Sequence, residues 1–563
     1  MSRDDRPDPW WRNGVIYQIY VRSFQDSNGD GIGDLPGITS RLDYIHWLGI
    51  EAIWLTPFYR SPMQDFGYDV TDHCAVAPEY GTLGDFDRLV RSAHERGIKV
   101  VVDFVPNHTS SDHEWFCESR SSRANAKRDW YIWADSKPDG SPPNNWRGQG
   151  SRAVDGGAWV FDDVTGQWYL ASFSPSQPDL NWSHADVQKA MLDVLDFWFA
   201  RGVDGVRIDM VDFLGKDRQL RGEAPLPPGA DARDYFISAR HQRNRPETLD
   251  YIRLMRGVAD RHDGRVLIGE MFYFLPLDRF ATYHGNGELL DLAMNFRLTF
   301  APLEARAIAD WVDSYDSALA AAGAWPNYCV GNHDTARVGR HGEATARLVV
   351  MLLLTLRGTP FLYYGDEIGL PEVDVPPERQ RDRLSADPNN PRSRDGGRTP
   401  MQWTDQPNAG FCPAEVEPWL PLAPDWPKRN VAAESTDERS ILELTRRLVA
   451  LRRATPAVQS GDFSLVAGVP DACLAFRRDH LTSGILVVLN FGDLPLEMPE
   501  DLRLGGMIIA ATGCDRVGER VDRSLRLRAR EGIVIDARPQ QADDRSSSER
   551  LGVILAGPPL RSR

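Results

Sequence analysis

The chain has 563 residues, which at roughly 150 residues per domain suffices for several domains or one large barrel with additions. Lysine and arginine number 65 against 81 aspartates and glutamates, and the resulting charge of −16 argues against nucleic acids and anionic membranes as partners. The longest apolar stretch, 348–356, is far shorter than a membrane-spanning helix, and the charged start does not resemble a secretory signal, so we expect a cytoplasmic protein.

Short apolar runs recur along the chain and alternate with segments of helical period. This alternation is typical of parallel strands joined by crossover helices. Between the third and fourth strands, Asp186 is predicted to cap a helix that Gly202 ends. Eight such units predict an α/β fold, a TIM (β/α)8 barrel. The predicted strands are 15–20, 52–56, 99–104, 205–208, 266–269, 291–295, 328–331 and 360–364.

Two regions exceed what the barrel needs. A Trp-, Gly-, Ser- and Asp-rich stretch after the third strand is too long for an ordinary loop and predicts a small inserted domain above the active face. After a helix near 440–453, short alternating runs predict a C-terminal antiparallel β-sandwich. The predicted units are barrel domain at 1–106 and 182–457, insert at 107–181, sandwich at 458–539 and a mobile tail at 540–563.

Ionisable side chains follow four of the predicted strands. The third leads into DFVPNH at 103–108, the fourth into RID at 207–209, the fifth into GE at 269–270 and the seventh into NHD at 332–334. Any one such carboxylate is more often a helix cap or an ion-pair partner. Because the C-terminal ends of barrel strands surround one cavity, four of them together predict a shared active site.

Paired carboxylates beside an arginine are suited to cleavage of glycosidic bonds. Arg207 lies two residues before Asp209 on the same strand, so both side chains face the same way and Asp209 is expected to stay ionised as the nucleophile. Glu270, crowded by carboxylates and screened by Phe272 and Tyr273, is expected to have a raised pKa and to act as acid and then base.

The segments DFVPNHTS, GVRIDMVDF, GEMF and GNHD in this order resemble the four motif regions of glycoside hydrolase family 13, the α-amylase family. Nearly the whole chain resembles its oligo-1,6-glucosidase and α-glucosidase branch. The resemblance implies that Asp209 is the nucleophile, Glu270 the acid/base and Asp334 a third carboxylate that holds sugar hydroxyls. It further implies that His108 and His333 bind the glucose whose bond is cleaved.

Two more segments resemble that branch. QPDLN at 177–181 is similar to a segment of α-glucosidases, with Phe173 as an aromatic wall, and RDGGRTPMQW at 394–403 is similar to a loop of oligo-1,6-glucosidases and trehalose synthases. The resemblance implies that Arg398 pairs with Asp69 and grips the far hydroxyls of a terminal glucose, which predicts exo-action; a surface ion pair is the alternative. The expected substrate-binding residues are Tyr68, Asp69, His108, Phe173, Gln177, Arg207, His333, Arg394 and Arg398.

The loop after the first strand spaces oxygen ligands at alternate positions and resembles the opening of an EF-hand. Position twelve is Gly37 instead of Glu and the loop follows a strand, so a true EF-hand is not expected. In the family a similar loop binds one structural Ca2+ or Mg2+, and a metal-free Asx-rich turn is the alternative. No organic cofactor is expected. The predicted ligands are Asp26, Asn28, Asp30, Ile32 and Asp34.

These patterns together predict a retaining exo-α-glucosidase that acts on short α-glucosides through a covalent Asp209 intermediate. The alternatives are a transglucosylase, a trehalose synthase or sucrose isomerase with the same intermediate, and a non-catalytic binding relative. Met210 follows the nucleophile where the branch commonly has Val, Thr or Ala, so the preferred linkage is left open, as is the oligomeric state.

Overall fold

The computed structural model describes residues 9–148, 156–271, 274–382, 393–502, 504–522 and 524–537. Their strands are β1 (Ile16–Ile19), β2 (Ala52–Leu55), β3 (Tyr59–Arg60), β4 (Asp72–Val76), β5 (Lys99–Phe104), β6 (Trp133–Ala134), β7 (Trp159–Asp162), β8 (Gln167–Leu170), β9 (Gly205–Ile208), β10 (Val266–Glu270), β11 (Leu292–Met294), β12 (Asn327–Cys329), β13 (Thr359–Tyr363), β14 (Asp462–Leu465), β15 (Cys473–His480), β16 (Ser483–Asn490), β17 (Leu496–Glu497), β18 (Gly506–Ala511), β19 (Arg520–Val521), β20 (Arg526–Leu527) and β21 (Gly532–Asp536). Their α-helices are α1 (Trp10–Asn13), α2 (Val21–Phe24), α3 (Leu35–Ser40), α4 (Leu42–Leu48), α5 (Leu83–Glu95), α6 (Glu114–Ser121), α7 (Ala185–Ala200), α8 (Ala232–Ser238), α9 (Glu247–Ala259), α10 (Leu277–Thr282), α11 (Arg297–Phe300), α12 (Ala305–Ala321), α13 (Glu343–Thr355), α14 (Val431–Glu434), α15 (Ile441–Ala454) and α16 (Pro456–Gln459).

Within these residues, eight parallel strands form one sheet in the order β11-β10-β9-β5-β2-β1-β13-β12. At the two ends of this order, the Asn327 side-chain amide of β12 donates to the Ala293 carbonyl of β11 at 2.6 Å, so the sheet curls into a barrel. Trp54, Ile268 and Phe361 belong to the buried cluster that its strands share. The predicted TIM barrel is confirmed, and each predicted strand lies within two residues of an observed one.

The crossover helices α5 and α7 begin at side-chain caps. The Thr82 hydroxyl accepts from the Asp85 N–H at 3.2 Å and the Asp85 carboxylate accepts from the Thr82 N–H at 2.9 Å, a capping box that starts α5. The prediction that Asp186 caps α7 is wrong, because the His184 imidazole accepts from the Asp186 N–H at 3.2 Å. Gly202, with a φ of +94°, follows the end of α7 as predicted.

The C-terminal region is an antiparallel sheet, as predicted, in the order β14-β15-β16-β21-β18-β19. Along β15, Leu474 and Phe476 pack into the same core as the barrel helices, while Cys473 and Ala475 face a second cluster. Leu527 of the short pair β17-β20 belongs to that second cluster, so this pair forms the outer layer. The predicted tail, 540–563, lies outside the described residues.

Two insertions stand near the active face. The antiparallel sheet β6-β8-β7 lies within the stretch 107–181, which returns to the barrel through a bridge between His108 and Asp179. The hairpin β3-β4, absent from the predicted strands, presents the loop 61–71. The proposed domain boundaries stay predictions. No helix in the described part of the chain is long and apolar enough to cross a membrane.

Candidate active site

Arg207 lies at the bottom of the predicted site. Its Nη1 donates to Asp103 Oδ1 at 2.6 Å and to Asp209 Oδ1 at 2.8 Å, and its Nη2 lies 2.6 Å from Glu270 Oε1. The three carboxylates come from the adjacent strand ends of β5, β9 and β10. The guanidinium is 1% exposed and the carboxylates 0%, 8% and 3%. One buried cation is therefore shared by three buried carboxylates.

Burial, together with the excess of carboxylates over cations, determines which carboxyl groups of the site are protonated. Burial raises the pKa of Asp209 to about 6, although Arg207 opposes the shift. Burial also raises the pKa of Glu270 well above its usual value, and the charges of Asp209 and Asp334 add to the shift. The expected raised pKa of Glu270 is thus present. The sequence predicts that Arg207 pairs with Asp209, and in the structure Arg207 also pairs with Glu270.

Met210, directly after Asp209, has an unusual backbone. Its φ of 37° and ψ of 51° lie in the left-handed region, which long side chains disfavour. Its N–H donates to Glu270 Oε2 at 3.2 Å. Phe272 and Tyr273, predicted to screen Glu270, lie outside the described residues. The Met210 side chain packs in an apolar cluster with Phe213, Tyr235, Phe236, Ala239, Phe173, Leu226, Ile237 and Phe274.

Asp334 follows β12 and binds two arginines from the loop 393–398. Arg394 Nη1 donates to Asp334 Oδ1 at 2.6 Å and Arg398 Nη2 donates to the same oxygen at 3.1 Å. Burial opposes the charge of Asp334, but its contacts with His333 and the two guanidiniums hold the pKa of this carboxyl well below its usual range. Asp334 is therefore ionised throughout the neutral range.

Tyr68 and His333 link Asp334 to the bottom of the site. Their rings stack with centroids 5.4 Å apart, and the Tyr68 hydroxyl lies 2.7 Å from His333 Nε2. The same hydroxyl donates to Asp103 Oδ2 at 3.3 Å. The Gln18 amide lies 2.7 Å from His333 Nδ1, so contacts at both ring nitrogens fix the imidazole.

His108, Gln177 and Phe173 form a wall between the barrel and the insert. The Gln177 amide lies 3.1 Å from His108 Nε2 and donates to Asp65 Oδ2 at 3.0 Å. The Phe173 ring centroid lies 5.1 Å from that of His108. All three predicted residues are therefore brought together, and they adjoin an aspartate that the sequence interpretation did not select.

The predicted pair between Arg398 and Asp69 is wrong. Arg398 binds Asp334, whereas Asp69 stabilises its own turn. The ion pair between these two loops is formed instead by Arg394 and Asp65, since Arg394 Nη2 donates to Asp65 Oδ1 at 2.6 Å. Because Asp69 accepts the Asp65 N–H, it shapes the turn that presents Asp65. The donors to Asp69 are Ser61 Oγ at 2.8 Å, Gln64 N at 3.0 Å and Asp65 N at 2.9 Å.

Sequence reasoning missed two acidic residues of this cluster, Asp65 and Asp382. Asp65 and Asp69 stand at the two ends of the short segment DFGYD, and the sequence has no signal that separates their roles. Asp382 is fully buried and accepts Arg394 Nε at 2.5 Å. It lies outside every motif used above, so only the folded chain associates it with the site.

The predicted metal loop is closed by its own hydrogen bonds. Asp26 accepts the backbone N–H groups of Asn28 and Gly31 at 3.0 and 2.9 Å, and Asp34 caps α3 through the Gly37 N–H at 2.6 Å. In the described part of the chain, no group of three or more His, Cys, Asp or Glu is arranged for a metal. The predicted ligands all offer the oxygen chemistry that Ca2+ or Mg2+ binds: Asp26, Asn28, Asp30, Asp34 and the Ile32 carbonyl.

Comparison with known proteins places these features in context. The family model described as "Alpha amylase, catalytic domain" matches residues 18–461. A probable alpha-glucosidase of Rhizobium meliloti is 41% identical over 525 residues, which cover 89% of this chain and 93% of the relative. The oligo-1,6-glucosidase of Bacillus cereus is 34% identical, with 88% and 93% covered. A crystal structure of an alpha-glucosyl transfer enzyme matches 94% of this chain and 100% of its own, with 39% identity and a TM-score of 0.85.

Proposed function

The chain belongs to the α-amylase family, glycoside hydrolase family 13, and on this premise we propose that it is a retaining exo-α-glucosidase acting on short α-glucosides. The relatives named alpha-glucosidase and oligo-1,6-glucosidase support a small carbohydrate substrate. The observation that carries the proposal is the guanidinium of Arg207 shared by Asp103, Asp209 and Glu270 at the base of the site.

In the first step, Asp209 attacks the anomeric carbon of the terminal glucose. The bond from that carbon to the glycosidic oxygen breaks, and the oxygen takes the proton of Glu270. The raised pKa of Glu270 supplies this proton near neutral pH, while the pKa of Asp209, about 6, leaves its carboxylate ionised. The product of the step is a β-glucosyl ester of Asp209 and a free leaving group.

In the second step, the Glu270 carboxylate takes a proton from water. The water oxygen forms a bond with the anomeric carbon, and the ester bond to Asp209 breaks. Two inversions at the same carbon release α-glucose. We assign Arg207 the role of holding both carboxylates in place during the exchange, since its two terminal nitrogens contact one each.

Exo-action is supported by the charged cluster at the far end of the site. Asp65 and Asp334 are both bound to Arg394 at 2.6 Å, and Gln177 adds a donor to Asp65. Such fixed charged groups suit the hydroxyls of a single terminal sugar, and they occupy the space that a further unit would need.

The test is a proton NMR time course of the purified protein with concentrated nitrophenyl α-glucoside, in which all released glucose comes from the cleaved glucosyl unit. We expect α-glucose before any β-glucose. Early β-glucose would refute the retaining mechanism, and no glucose in any form would refute the glucosidase itself.

Azide rescue separates the roles of the two carboxylates. The Asp209→Gly variant with azide is expected to form β-glucosyl azide, because azide replaces the nucleophile once. The Glu270→Ala variant is expected to form α-glucosyl azide, because the Asp209 ester still forms and azide replaces water. The same anomer from both variants would show that the two assignments are wrong.

A transglucosylase is the second candidate, and the apolar cluster around Met210 favours it. Apolar side chains beside Glu270 place the leaving-group side in a water-poor environment, where a sugar acceptor competes better with water. The similarity to an alpha-glucosyl transfer enzyme supports the same reading. New glucosides with little free glucose in the nitrophenyl α-glucoside time course would establish transfer.

We also propose that the loop 26–34 binds one structural Ca2+ or Mg2+, through the oxygens of Asp26, Asn28, Asp30, Ile32 and Asp34. The support is the oxygen-only donor chemistry of the loop. The metal would tie this loop together and takes no part in the steps above.

A further inference from the structure

Arg394 is the centre of a cluster of three acidic side chains. Its Nη1 donates to Asp334 and its Nη2 to Asp65, both at 2.6 Å. The remaining edge of the guanidinium, formed by Nε and Nη2, faces Asp382. The hydrogen bonds from Arg394 to Asp334 and Asp65 therefore depend on how Asp382 holds this remaining edge.

Asp382 holds that edge with both carboxylate oxygens. Oδ2 accepts Arg394 Nε at 2.5 Å, and Oδ1 accepts Nη2 at 3.0 Å. This two-point pairing fixes the plane of a guanidinium as well as its position. Oδ2 also accepts the backbone N–H of Arg394 at 3.3 Å, so one carboxylate binds both ends of the same residue.

Asp382 is itself rigidly placed. Its side chain is fully buried, and its backbone N–H donates to the two Asp395 oxygens at 3.2 and 3.0 Å. A second arginine, Arg398, has its Nη1 3.8 Å from Asp382 Oδ2. The support for Arg394 therefore comes from a buried carboxylate whose own backbone is held by Asp395.

We propose that Asp382 is a positioning residue that aims Arg394 at Asp65 and Asp334 and thereby selects a terminal glucose with a free 4-hydroxyl. The inference rests on the proposed exo-glucosidase function. The 4-hydroxyl lies across the sugar ring from the anomeric carbon, so it is the group that reaches the end of the site remote from Asp209. Displacement of a positioning arginine by about 1 Å is enough to cost about 100-fold in rate.

The test compares nitrophenyl α-glucoside with its 4-deoxy analogue. The wild type is expected to prefer the glucoside. Asp382→Asn removes one charge and replaces an accepting oxygen by a donor that cannot bind Arg394, so we expect kcat/KM for the glucoside to fall about 10- to 100-fold. The 4-deoxy analogue, which lacks the selected hydroxyl, is expected to change about 3-fold at most, so the preference collapses.

Asp204→Asn is the matched control. Asp204 is also a buried aspartate in ion pairs, but it directly precedes β9, at the opposite end of the strand from Asp209, and its partners are His94 at 2.6 Å and Lys99 at 3.0 Å. Its substitution is expected to lower the melting temperature while the preference for the 4-hydroxyl is kept. Loss of the preference in this control as well would show that general destabilisation explains the effect.

A double-mutant cycle with Asp65→Ala distinguishes positioning of Arg394 from a purely structural role, because it measures whether the effects of the two substitutions on kcat/KM are coupled. If Asp382 acts through Arg394, adding Asp382→Asn to Asp65→Ala costs little more than Asp65→Ala alone. Independent effects that multiply would overturn the inference. Should Asp382→Asn fail to fold, Asp382→Glu keeps the charge and moves it by one methylene, and an unchanged preference in that variant would overturn the inference too.

The outcomes separate this inference from the proposed function. A wild type that cleaves neither glucoside overturns both. A wild type that prefers the glucoside, together with an Asp382→Asn variant that keeps the preference, overturns the role of Asp382 and leaves the glucosidase in place.

Discussion

Substitution of Arg207 by lysine isolates what the guanidinium contributes at the base of the site. Arg207 binds three carboxylates, at 2.6, 2.8 and 2.6 Å, through two nitrogens in one plane. A lysine ammonium keeps the positive charge but is a single point on a flexible chain and does not reach all three carboxylates in that geometry. We expect the bond to Asp209, the longest of the three, to be lost.

The expected shift follows from the energy of that bond. A hydrogen bond from a cation to a buried carboxylate is worth about 1.5–3 kcal/mol, and one pKa unit corresponds to about 1.4 kcal/mol. Losing the bond removes stabilisation from the ionised form, so the pKa of Asp209 rises from about 6. The rise amounts to about 1–2 units.

The assay is kcat/KM for nitrophenyl α-glucoside measured between about pH 4 and pH 9. Because the nucleophile must be ionised, the pH at which activity is lost on the acidic side is expected to move upward by about 1–2 units in Arg207→Lys. Arg243→Lys is the control, since Arg243 is an equally buried arginine that pairs with Asp212. An unmoved acidic limit with a lower plateau in Arg207→Lys would refute the electrostatic role of Arg207.

Three further outcomes follow from the same contacts. Asp65→Ala is expected to lower kcat/KM on terminal α-glucosides about 100-fold at nearly unchanged melting temperature. Asp69→Ala is expected to lower both kcat/KM and the melting temperature, because Asp69 shapes the turn. The same changes in kcat/KM and melting temperature for the two variants would contradict this division. Burial raises the pKa of Asp366 to about 7. Its folded state therefore retains the proton more tightly than the unfolded chain, and stability is lost as pH rises from about 4 to about 7. In urea unfolding, the free energy of unfolding of Asp366→Asn is expected to rise by about 1–4 kcal/mol relative to that of the wild type as pH rises between these limits. A difference between the two proteins that stays constant with pH would count against this role of Asp366. Chelator is expected to lower the melting temperature of the wild type but not of an Asp26→Ala, Asp30→Ala variant, and identical curves would argue against a metal in the loop 26–34.

The barrel was predictable because its signals are local. Apolar runs such as 99–104 and 205–208 have the length and composition of buried parallel strands, and the structure places strands at those residues. Strand ends then determine which side chains share a face, so Arg207 and Asp209 could be placed together from their spacing. The C-terminal sheet was likewise predicted from alternation along 472–477 and 484–490.

Errors arose where a local pattern allowed more than one partner. Asp186 and His184 are both able to cap α7, and the choice depends on which side chain reaches the free N–H groups of the first turn. Asp65 and Asp69 are only four residues apart, and only the fold of the turn decides which of them reaches Arg394.

The sequence by itself determined the barrel, the order of its units and the strand ends that carry Asp209, Glu270 and Asp334. These depend on hydrophobic periodicity and on residues next to each other in the chain. Only the tertiary structure decided that Arg207 also binds Glu270 and that Asp382 supports Arg394. Ion pairs between separate segments of the chain depend on distances of a few ångströms after folding, and no spacing in the sequence encodes those distances.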